Sequence, residues 1–268
     1  MQVPFYRHSL KPEDALKIAE VIKTPFLTSG PVCKEVEAQL CDYFDVKSAK
    51  LVSSWTNGAI AALLALDIGP GDEVIVPAMT FIATANVVEL VGATPIFIDS
   101  DPDTFLITPE LVKNAISSKT KAVIPVHMYG QMCDVRAIKE VLPKDKKIYI
   151  LEDCAHTFEA KFNGDRPGKY SDLAIFSFYG TKNVTCGEGG AIITNDFSLY
   201  ERVIQAVHHG MSASAADRFK EGKYNHWGMD HLGTKANLPD LLAALLPKQI
   251  ESIDQNLGIR EEKANFYD

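Results

Sequence analysis

Short apolar strands alternate with longer helical stretches between residues 49 and 195, and this alternation constrains the fold more than any other feature of the chain. The strand candidates are rich in β-branched residues, and helical periodicity separates most of them. A strand followed by a helix and a second strand normally joins a parallel sheet through a crossover. We therefore predict an α/β fold around a mostly parallel sheet.

Seven strands and four helices are predicted within this region. The last three strands follow one another without a helix long enough to cross over, so we expect an antiparallel strand near 173–195. The predicted strands are 49–53, 73–76, 95–98, 122–126, 148–151, 173–177 and 191–194, and the predicted helices are 56–66, 80–91, 109–116 and 134–142.

Helices are also predicted on either side of this region. Pro12 followed by Glu13 and Asp14 is typical of a helix start, since proline and acidic side chains both suit the first turn. Residues 196–206 and 239–255 have helical patterns, whereas 207–238 is long for a plain connection. The expected parts are an arm with helices at 1–48, a large α/β domain at 49–206, a functional loop at 207–238 and a helical region at 239–268.

Composition excludes several classes of protein. The net charge is −8 with acidic and basic residues interspersed, so no basic stripe indicates nucleic-acid binding. Five cysteines without a CxxC pair indicate reduced thiols and a cytoplasmic protein, and the histidines lack the spacing of a metal site. No apolar run reaches the ~20 residues needed to span a bilayer. We expect a soluble cytoplasmic protein without a structural metal.

A polar, glycine-rich link at 177–190, SFYGTKNVTCGEGG, joins two predicted strands and contains Lys182. A Walker loop needs GxxxxGK[ST] before a helix, and a dinucleotide loop needs its glycines between a strand and a helix. Neither pattern fits, because this link leads into a strand. From these residues alone, Lys182 is either a functional lysine at the mouth of the sheet or an ordinary solvated turn residue.

Two other segments place polar groups at strand ends. Asp153 follows an apolar strand, where open α/β sheets bind ligands, although a helix N-cap or a structural ion pair would also account for it. Residues 53–58, SSWTNG, join a strand to a helix, so their hydroxyls and backbone N–H groups are typical of an anion site or of an ordinary N-cap.

The order of these segments resembles the DegT/DnrJ/EryC1/StrS family of sugar aminotransferases over nearly the whole chain. The matching blocks are TSGP at 28–31 with VE at 36–37, GPGDEVIVP at 69–77, TFIATAN at 80–86, PVHMYGQ at 125–131 and GEGG at 187–190. The resemblance implies the three-layer sandwich of fold type I aminotransferases, with a seven-stranded sheet, and pyridoxal 5'-phosphate as the cofactor. Family members generally continue into a small C-terminal domain, which we expect to be largely absent here.

The resemblance also implies a role for each site residue. Lys182 would hold the cofactor as a Schiff base and move protons, while Asp153 would face the pyridine nitrogen. The other implied cofactor-binding residues are Trp55, Thr56 and Ser177 at the phosphate, Phe81 on the ring face, His156 at the ring hydroxyl, and Lys235 at the phosphate of a dimer partner, and Thr28, Ser29, Gly30 and Tyr129 would lie near the sugar.

Some of these assignments compete with simpler ones. His156 and Phe81 are otherwise core residues, and Lys235 is otherwise a solvated lysine. Trp55 departs from the family, which more often has a small residue there, so either the indole points away from the phosphate or the loop is remodelled.

The implied reaction moves an amino group from an amino acid, expected to be glutamate, to a keto sugar linked to a nucleotide, in deoxysugar or polysaccharide biosynthesis. The enzyme would be a homodimer with its active site at the interface, reached by the loop at 207–238. Lys182 argues against the deoxygenating branch of the family, which has histidine there. The alternative is a truncated, non-catalytic cofactor-binding subunit or an interaction partner of a full-length relative.

Overall fold

Seven strands form one sheet in the computed structural model of the chain, which describes residues 4, 6–212, 228–229 and 231–267. Their order across the sheet is β1-β7-β6-β5-β4-β2-β3, and β7 pairs antiparallel with both of its neighbours. The remaining pairs are parallel, which confirms the mostly parallel sheet and the antiparallel strand near 173–195. The strands are β1 (Ser48–Val52), β2 (Glu73–Pro77), β3 (Thr94–Ile98), β4 (Thr120–Val123), β5 (Tyr149–Asp153), β6 (Leu173–Ser177) and β7 (Gly190–Thr194).

Ten α-helices accompany the sheet in the described ranges, and four of them start at a side-chain cap. The side chains of Ser54, Thr108, Asp134 and Asp196 each accept a backbone N–H at a helix start. The helices are α1 (Ala15–Ile22), α2 (Pro31–Phe44), α3 (Trp55–Ala65), α4 (Ala83–Leu90), α5 (Pro109–Ala115), α6 (Val135–Val141), α7 (Phe197–Val207), α8 (Asp240–Ala243), α9 (Pro247–Glu251) and α10 (Ile253–Tyr267).

Helices cover both faces of the sheet. In β2, Val74 and Val76 join an apolar cluster with α3, α4 and α7, whereas Ile75 joins another with α5 and α6. In β6, Phe176 packs with α2 on the same face as Ile75. Successive strand residues point to opposite faces, so the near-continuous apolar strands predicted from the sequence are buried on both sides. The fold is a three-layer sandwich, as expected.

Proline accounts for two differences from the predicted elements. The predicted strand at 122–126 ends at Val123, because Pro125 has no N–H for the ladder, and Val126 makes only an isolated bridge. The predicted helix at 239–255 is divided into α8, α9 and the start of α10, with Pro247 at the beginning of α9. At the other end, Pro12 opens a short 3₁₀ helix that leads into α1.

Six strands run in the same direction, so the segments that follow β1, β2, β4, β5 and β6 meet at one edge of the sheet, which we call the carboxyl edge. Part of the predicted loop at 207–238, residues 213–227 and 230, lies outside the described residues, as does Asp268 of the predicted region at 239–268. Within the described ranges, no helix combines the length and apolar character needed to cross a bilayer.

Candidate functional site

A cavity of about 590 Å³ opens at the carboxyl edge of the sheet. Its walls are formed by the segments that follow β1, β2, β4, β5 and β6, which the parallel topology brings together. The structure places seven of the eight predicted cofactor-binding residues on its lining, and these are Trp55, Thr56, Phe81, Asp153, His156, Ser177 and Lys182.

Lys182 lies in the turn that follows β6, where its backbone N–H donates to the carbonyl oxygen of Tyr179 at 2.9 Å. Its side chain is half-buried. Burial lowers the pKa of the Lys182 amine below its ordinary value of 10.5, although the negative charge of Asp153 acts in the opposite direction. A lowered pKa increases the neutral fraction of the amine, which is the form that acts as a nucleophile or base.

Asp153 is the last residue of β5 and is only 5% exposed. Burial raises the pKa of its carboxyl group from 3.8 to about 6, while hydrogen bonds from Ala155 and Thr84 and the charges of His127 and Lys182 act against that rise. The backbone N–H of Ala155 donates to Oδ1 at 3.1 Å, and the hydroxyl of Thr84 donates to Oδ2 at 3.0 Å. This carboxylate would be stabilised by a cationic ligand in the cavity.

His156 stacks against Tyr129 at the cavity wall, with ring centroids 5.6 Å apart and an interplanar angle of 5°. The backbone N–H of Tyr129 donates to Nδ1 of His156 at 3.3 Å, which leaves Nε2 to carry the proton of the neutral ring. Burial and the charge of Lys182 both lower the pKa of His156. The stack depends on an unusual backbone, since Tyr129 adopts a φ of 53°.

The start of α3 provides the backbone N–H groups of an anion site. The side chain of Ser54 accepts the N–H of Asn57 at 3.1 Å, so the N–H groups of Trp55 and Thr56, in the first turn, have no intrahelical acceptor. The Trp55 side chain is 6% exposed and belongs to the apolar cluster beneath α3, so the indole packs into the core. This burial is what we expect if the indole points away from the phosphate, the first of the two alternatives left by the sequence.

The first residue of β7, Gly190, lies close to the backbone at the start of α3. A Cβ atom at Gly190 would lie 2.5 Å from the carbonyl oxygen of Phe176 and 3.0 Å from the backbone nitrogen of Trp55. Only glycine fits between these two backbone segments without displacing one of them.

Phe81 lies just before α4 and is 74% exposed, so it is not part of the core. It lines the cavity together with Tyr179, which comes from the link that carries Lys182. Large exposed aromatic side chains at a cavity mouth provide flat surfaces for a ring-shaped ligand.

Lys235 is the predicted cofactor-binding residue that the structure does not place on the lining of this cavity. It forms an isolated antiparallel bridge with His208, and the neighbouring Ala236 accepts the N–H of Ser53 at 2.6 Å. The segment that carries Lys235 is therefore tied to the backbone just before α3.

Three of the four residues predicted near the sugar also lie outside this lining. The amide of Asn237 donates to the hydroxyls of Thr28 and Ser29, both at 2.9 Å, and Asp240 accepts the N–H of Gly30 at 2.6 Å. These contacts hold the start of α2 to the segment before α8. The fourth residue, Tyr129, lines the cavity.

Several residues that line the cavity were missed by the sequence analysis: Thr80, Thr84, Tyr179, Thr181 and Glu188. A signal for the first two was present, because Thr80 and Thr84 stand four residues apart at a predicted helix start and so share one face. The contact from Thr84 to Asp153 joins two segments 69 residues apart in sequence, and no local pattern indicates it.

A buried cluster of His127, Glu152 and Cys154 lies beside Asp153, with its potential ligand atoms within 4.8 Å of one another. Nε2 of His127 is 2.7 Å from Glu152, and Nδ1 accepts the N–H of Cys133 at 3.1 Å. Burial raises the pKa of the Cys154 thiol to about 12, which keeps it protonated. The hydrogen bonds occupy both ring nitrogens, so the cluster forms a structural support beneath the site.

The sequence profile of the DegT/DnrJ/EryC1/StrS aminotransferase family matches residues 8–268. Among solved structures, the chain is similar to the putative sugar aminotransferase Spr1654 from Streptococcus pneumoniae in its PMP form, with a TM-score of 0.92 and 29% identity over 100% of this chain and 72% of that one. The PLP form of the same protein also matches, with a TM-score of 0.90 and 28% identity over 100% of this chain and 71% of that one.

Two other solved aminotransferases are similar over most of the chain. The aminotransferase from Psychrobacter cryohalolentis has a TM-score of 0.85 and 33% identity, covering 93% of this chain and 64% of that one. Helicobacter pylori PseC, an aminotransferase involved in the biosynthesis of pseudoaminic acid, has a TM-score of 0.82 and 26% identity, covering 95% of this chain and 66% of that one.

Proposed function

Because the chain belongs to the DegT/DnrJ/EryC1/StrS aminotransferase family, whose members depend on pyridoxal phosphate and aminate sugars, we propose that it transfers the amino group of glutamate to a keto sugar linked to a nucleotide. The observation that carries this proposal is that a half-buried lysine, Lys182, and a buried carboxylate, Asp153, line the same cavity. Their charges interact across it.

The residues at this cavity fit pyridoxal 5'-phosphate. Asp153 is a buried acid suited to a protonated ring nitrogen, and Lys182 is an amine with a lowered pKa suited to an aldehyde. Phe81 offers a flat apolar face, and the first turn of α3 offers free N–H groups to a phosphate. When bound there, the cofactor supplies an electron sink for a carbanion at the substrate carbon.

Lys182 and Asp153 have different tasks in the proposed reaction. Lys182 would hold the cofactor through its amine and, as a neutral base, would move the proton between the substrate carbon and the cofactor carbon. Asp153 holds positive charge on the ring nitrogen through an ion pair in a buried environment, where such a pair is strong. His156 would bind the ring hydroxyl through Nε2, and Ser177 and Thr56 would bind the phosphate.

The proposal includes a homodimer. In that dimer, the ammonium group of the exposed Lys235 would bind the cofactor phosphate at the site of the second copy. We also propose a cytoplasmic location, a proposal supported by five cysteines that are all free thiols. We also propose that the chain is divided into parts after residues 48, 206 and 238.

Covalent trapping tests the attachment site. Protein prepared without cofactor is mixed with pyridoxal 5'-phosphate, reduced with borohydride, digested and analysed by mass spectrometry. We expect the label on Lys182 and its loss in Lys182→Ala, whereas Lys161→Ala, which removes an exposed lysine, should be labelled like the wild type. Equal labelling of Lys182→Ala and wild type would contradict the proposal.

A panel of nucleotide-linked keto sugars with glutamate tests the substrates. The expected result is an aminated sugar, detected by its mass, that fails to form with Lys182→Ala. Labelling of Lys182 without any conversion across the panel would instead favour the non-catalytic cofactor-binding subunit that the sequence left as an alternative.

A further inference from the structure

A chain of two hydroxyl groups leads to Asp153 from α4. Thr84, in the first turn of α4, is 1% exposed, and its Oγ1 lies 3.0 Å from Oδ2 of Asp153. The hydroxyl of Thr80 lies 2.8 Å from that of Thr84. The other carboxylate oxygen accepts the backbone N–H of Ala155 at 3.1 Å, so each oxygen of Asp153 has one donor from the protein.

The direction of this chain follows from the number of protons available. An ionised carboxylate can only accept, and a hydroxyl has a single proton to donate. Thr84 therefore gives its proton to Asp153 and must accept the proton of Thr80. The O–H dipoles of the two threonines are aligned along this chain, and this alignment strengthens the hydrogen bond from Thr84 to the carboxylate.

The charged groups around Asp153 stabilise its ionised form only in part, so the two hydroxyls also contribute. Nδ1 of His127 accepts a backbone N–H and Nε2 lies 2.7 Å from Glu152, which fits a neutral ring, and the neighbouring Cys154 is a protonated thiol. Lys182 remains as the facing cation, and burial lowers the pKa of its amine. Hydrogen bonds to the ionised form are therefore needed to keep this buried carboxylate negative.

We propose that Thr84 is a positioning residue, which with Thr80 holds the Asp153 carboxylate ionised and fixed in orientation towards the ring nitrogen of the cofactor. This role rests on the proposed function of Asp153. Valine and threonine are both branched at Cβ, so Thr84→Val removes the hydroxyl and keeps the branched side chain.

The pH dependence of cofactor affinity tests this proposal without measuring turnover. Dissociation constants for pyridoxal 5'-phosphate are measured by equilibrium dialysis between pH 5 and 8 on protein prepared without cofactor. Affinity should fall towards acid as Asp153 becomes protonated. In Thr84→Val this fall should begin about one pH unit higher, a roughly tenfold weaker affinity at a fixed acidic pH, because a hydrogen bond to the ionised form is lost.

Two variants separate the hydroxyl from its surroundings. Thr84→Ser keeps the hydroxyl and should keep the wild-type profile. Thr120→Val changes a threonine that is as buried as Thr84 but is the first residue of β4, at the end away from the carboxyl edge. This variant should also keep the wild-type profile. A Thr84→Val profile that superimposes on the wild type, or a Thr84→Ser profile shifted as far as Thr84→Val, would overturn the proposal.

Two more variants complete the test. Thr80→Val leaves Thr84 in place and should shift the profile in the same direction by a smaller amount, so an unshifted profile would also count against the proposal. Asp153→Asn should make the acid-dependent fall smaller than in the wild type, because only the protonation of Lys182 would then contribute to it. If Asp153→Asn left the fall unchanged, the proposed role of Asp153 itself would be wrong, whereas a smaller fall together with an unshifted Thr84→Val would refute only the role of Thr84.

Discussion

Replacing Asp153 by asparagine should stabilise the cofactor-free protein at neutral pH. Burial raises the pKa of this carboxyl group from 3.8 to about 6, a rise of about 2.2 units. Each unit corresponds to 1.36 kcal/mol, so ionised Asp153 costs the folded state up to about 3 kcal/mol. Asparagine is nearly the same size, keeps an oxygen for Thr84 and never ionises, so it avoids this cost. Its amide NH₂ faces the N–H of Ala155, which offsets part of the gain by an amount that does not depend on pH.

The sign of the effect fixes its pH range. Below pH 3.8 the carboxyl group is protonated in both the folded and the unfolded chain, and no cost arises. As the pH rises towards 6, the unfolded chain ionises first, so the free energy of unfolding of the wild type falls relative to Asp153→Asn. Above about pH 6 the carboxyl group is ionised in both the folded and the unfolded wild type, so the difference in the free energy of unfolding between the two proteins stays constant.

Urea unfolding at a series of pH values measures this difference. Both proteins are prepared free of cofactor, with Asp145→Asn, a change at an exposed aspartate, as the control. The advantage of Asp153→Asn should grow between pH 4 and 6 by up to about 3 kcal/mol and then level off, while the control shows no such growth. Added pyridoxal 5'-phosphate should reverse the order, since binding stabilises the wild type more. A pH-independent difference would refute the reasoning.

Three further predictions follow from particular contacts. Gly190→Ala should lower both the free energy of unfolding and the affinity for pyridoxal 5'-phosphate, because its Cβ would press on the backbone before α3; Gly258→Ala, in open space, should do neither. Glu37→Ala should cost about 3–5 kcal/mol in urea unfolding, because it leaves Lys50 buried without its partner. Lys235→Ala should weaken cofactor binding in the dimer about tenfold or more, measured by dialysis.

Each of these has an outcome that would contradict it. Equal urea midpoints for Gly190→Ala and Gly258→Ala would show that β7 can move away from the loop at no cost. A loss below about 1 kcal/mol for Glu37→Ala, the size expected at an exposed pair such as Lys23 with Glu20, would show that Lys50 reaches water. An unchanged affinity in Lys235→Ala would place that lysine away from any phosphate.

The sheet could be predicted from the sequence because its strands are buried on both faces and are therefore short, apolar and rich in β-branched residues. The same pattern predicted an antiparallel strand near 173–195, because the last three predicted strands lack a crossover helix between them. That strand is β7, whereas β6 is parallel to β5 although no helix joins them. The ends of the elements were harder to predict where proline intervenes, as at Pro125 and Pro247.

The cavity residues at strand ends could also be expected to meet, because parallel strands end at the same edge. What the sequence does not contain is which side chains touch once they meet. Thr84 reaches Asp153 only because the segments that follow β2 and β5 meet at the carboxyl edge of the sheet, and Tyr129 covers His156 only because its backbone adopts a φ of 53°. Such contacts depend on the packed structure and not on any local pattern.

The pairing of β1 with β7 has a consequence for the synthesis of the protein. β1 begins at Ser48, and its partner begins at Gly190, roughly 140 residues later. At a translation rate of 5–20 residues per second, β1 leaves the ribosome about 7–28 s before its partner exists. During that time the apolar strand β1 has no partner strand for its backbone hydrogen bonds, so we expect nascent chains to depend on chaperones until the residues of β7 have emerged. Contacts between residues far apart in sequence should form last.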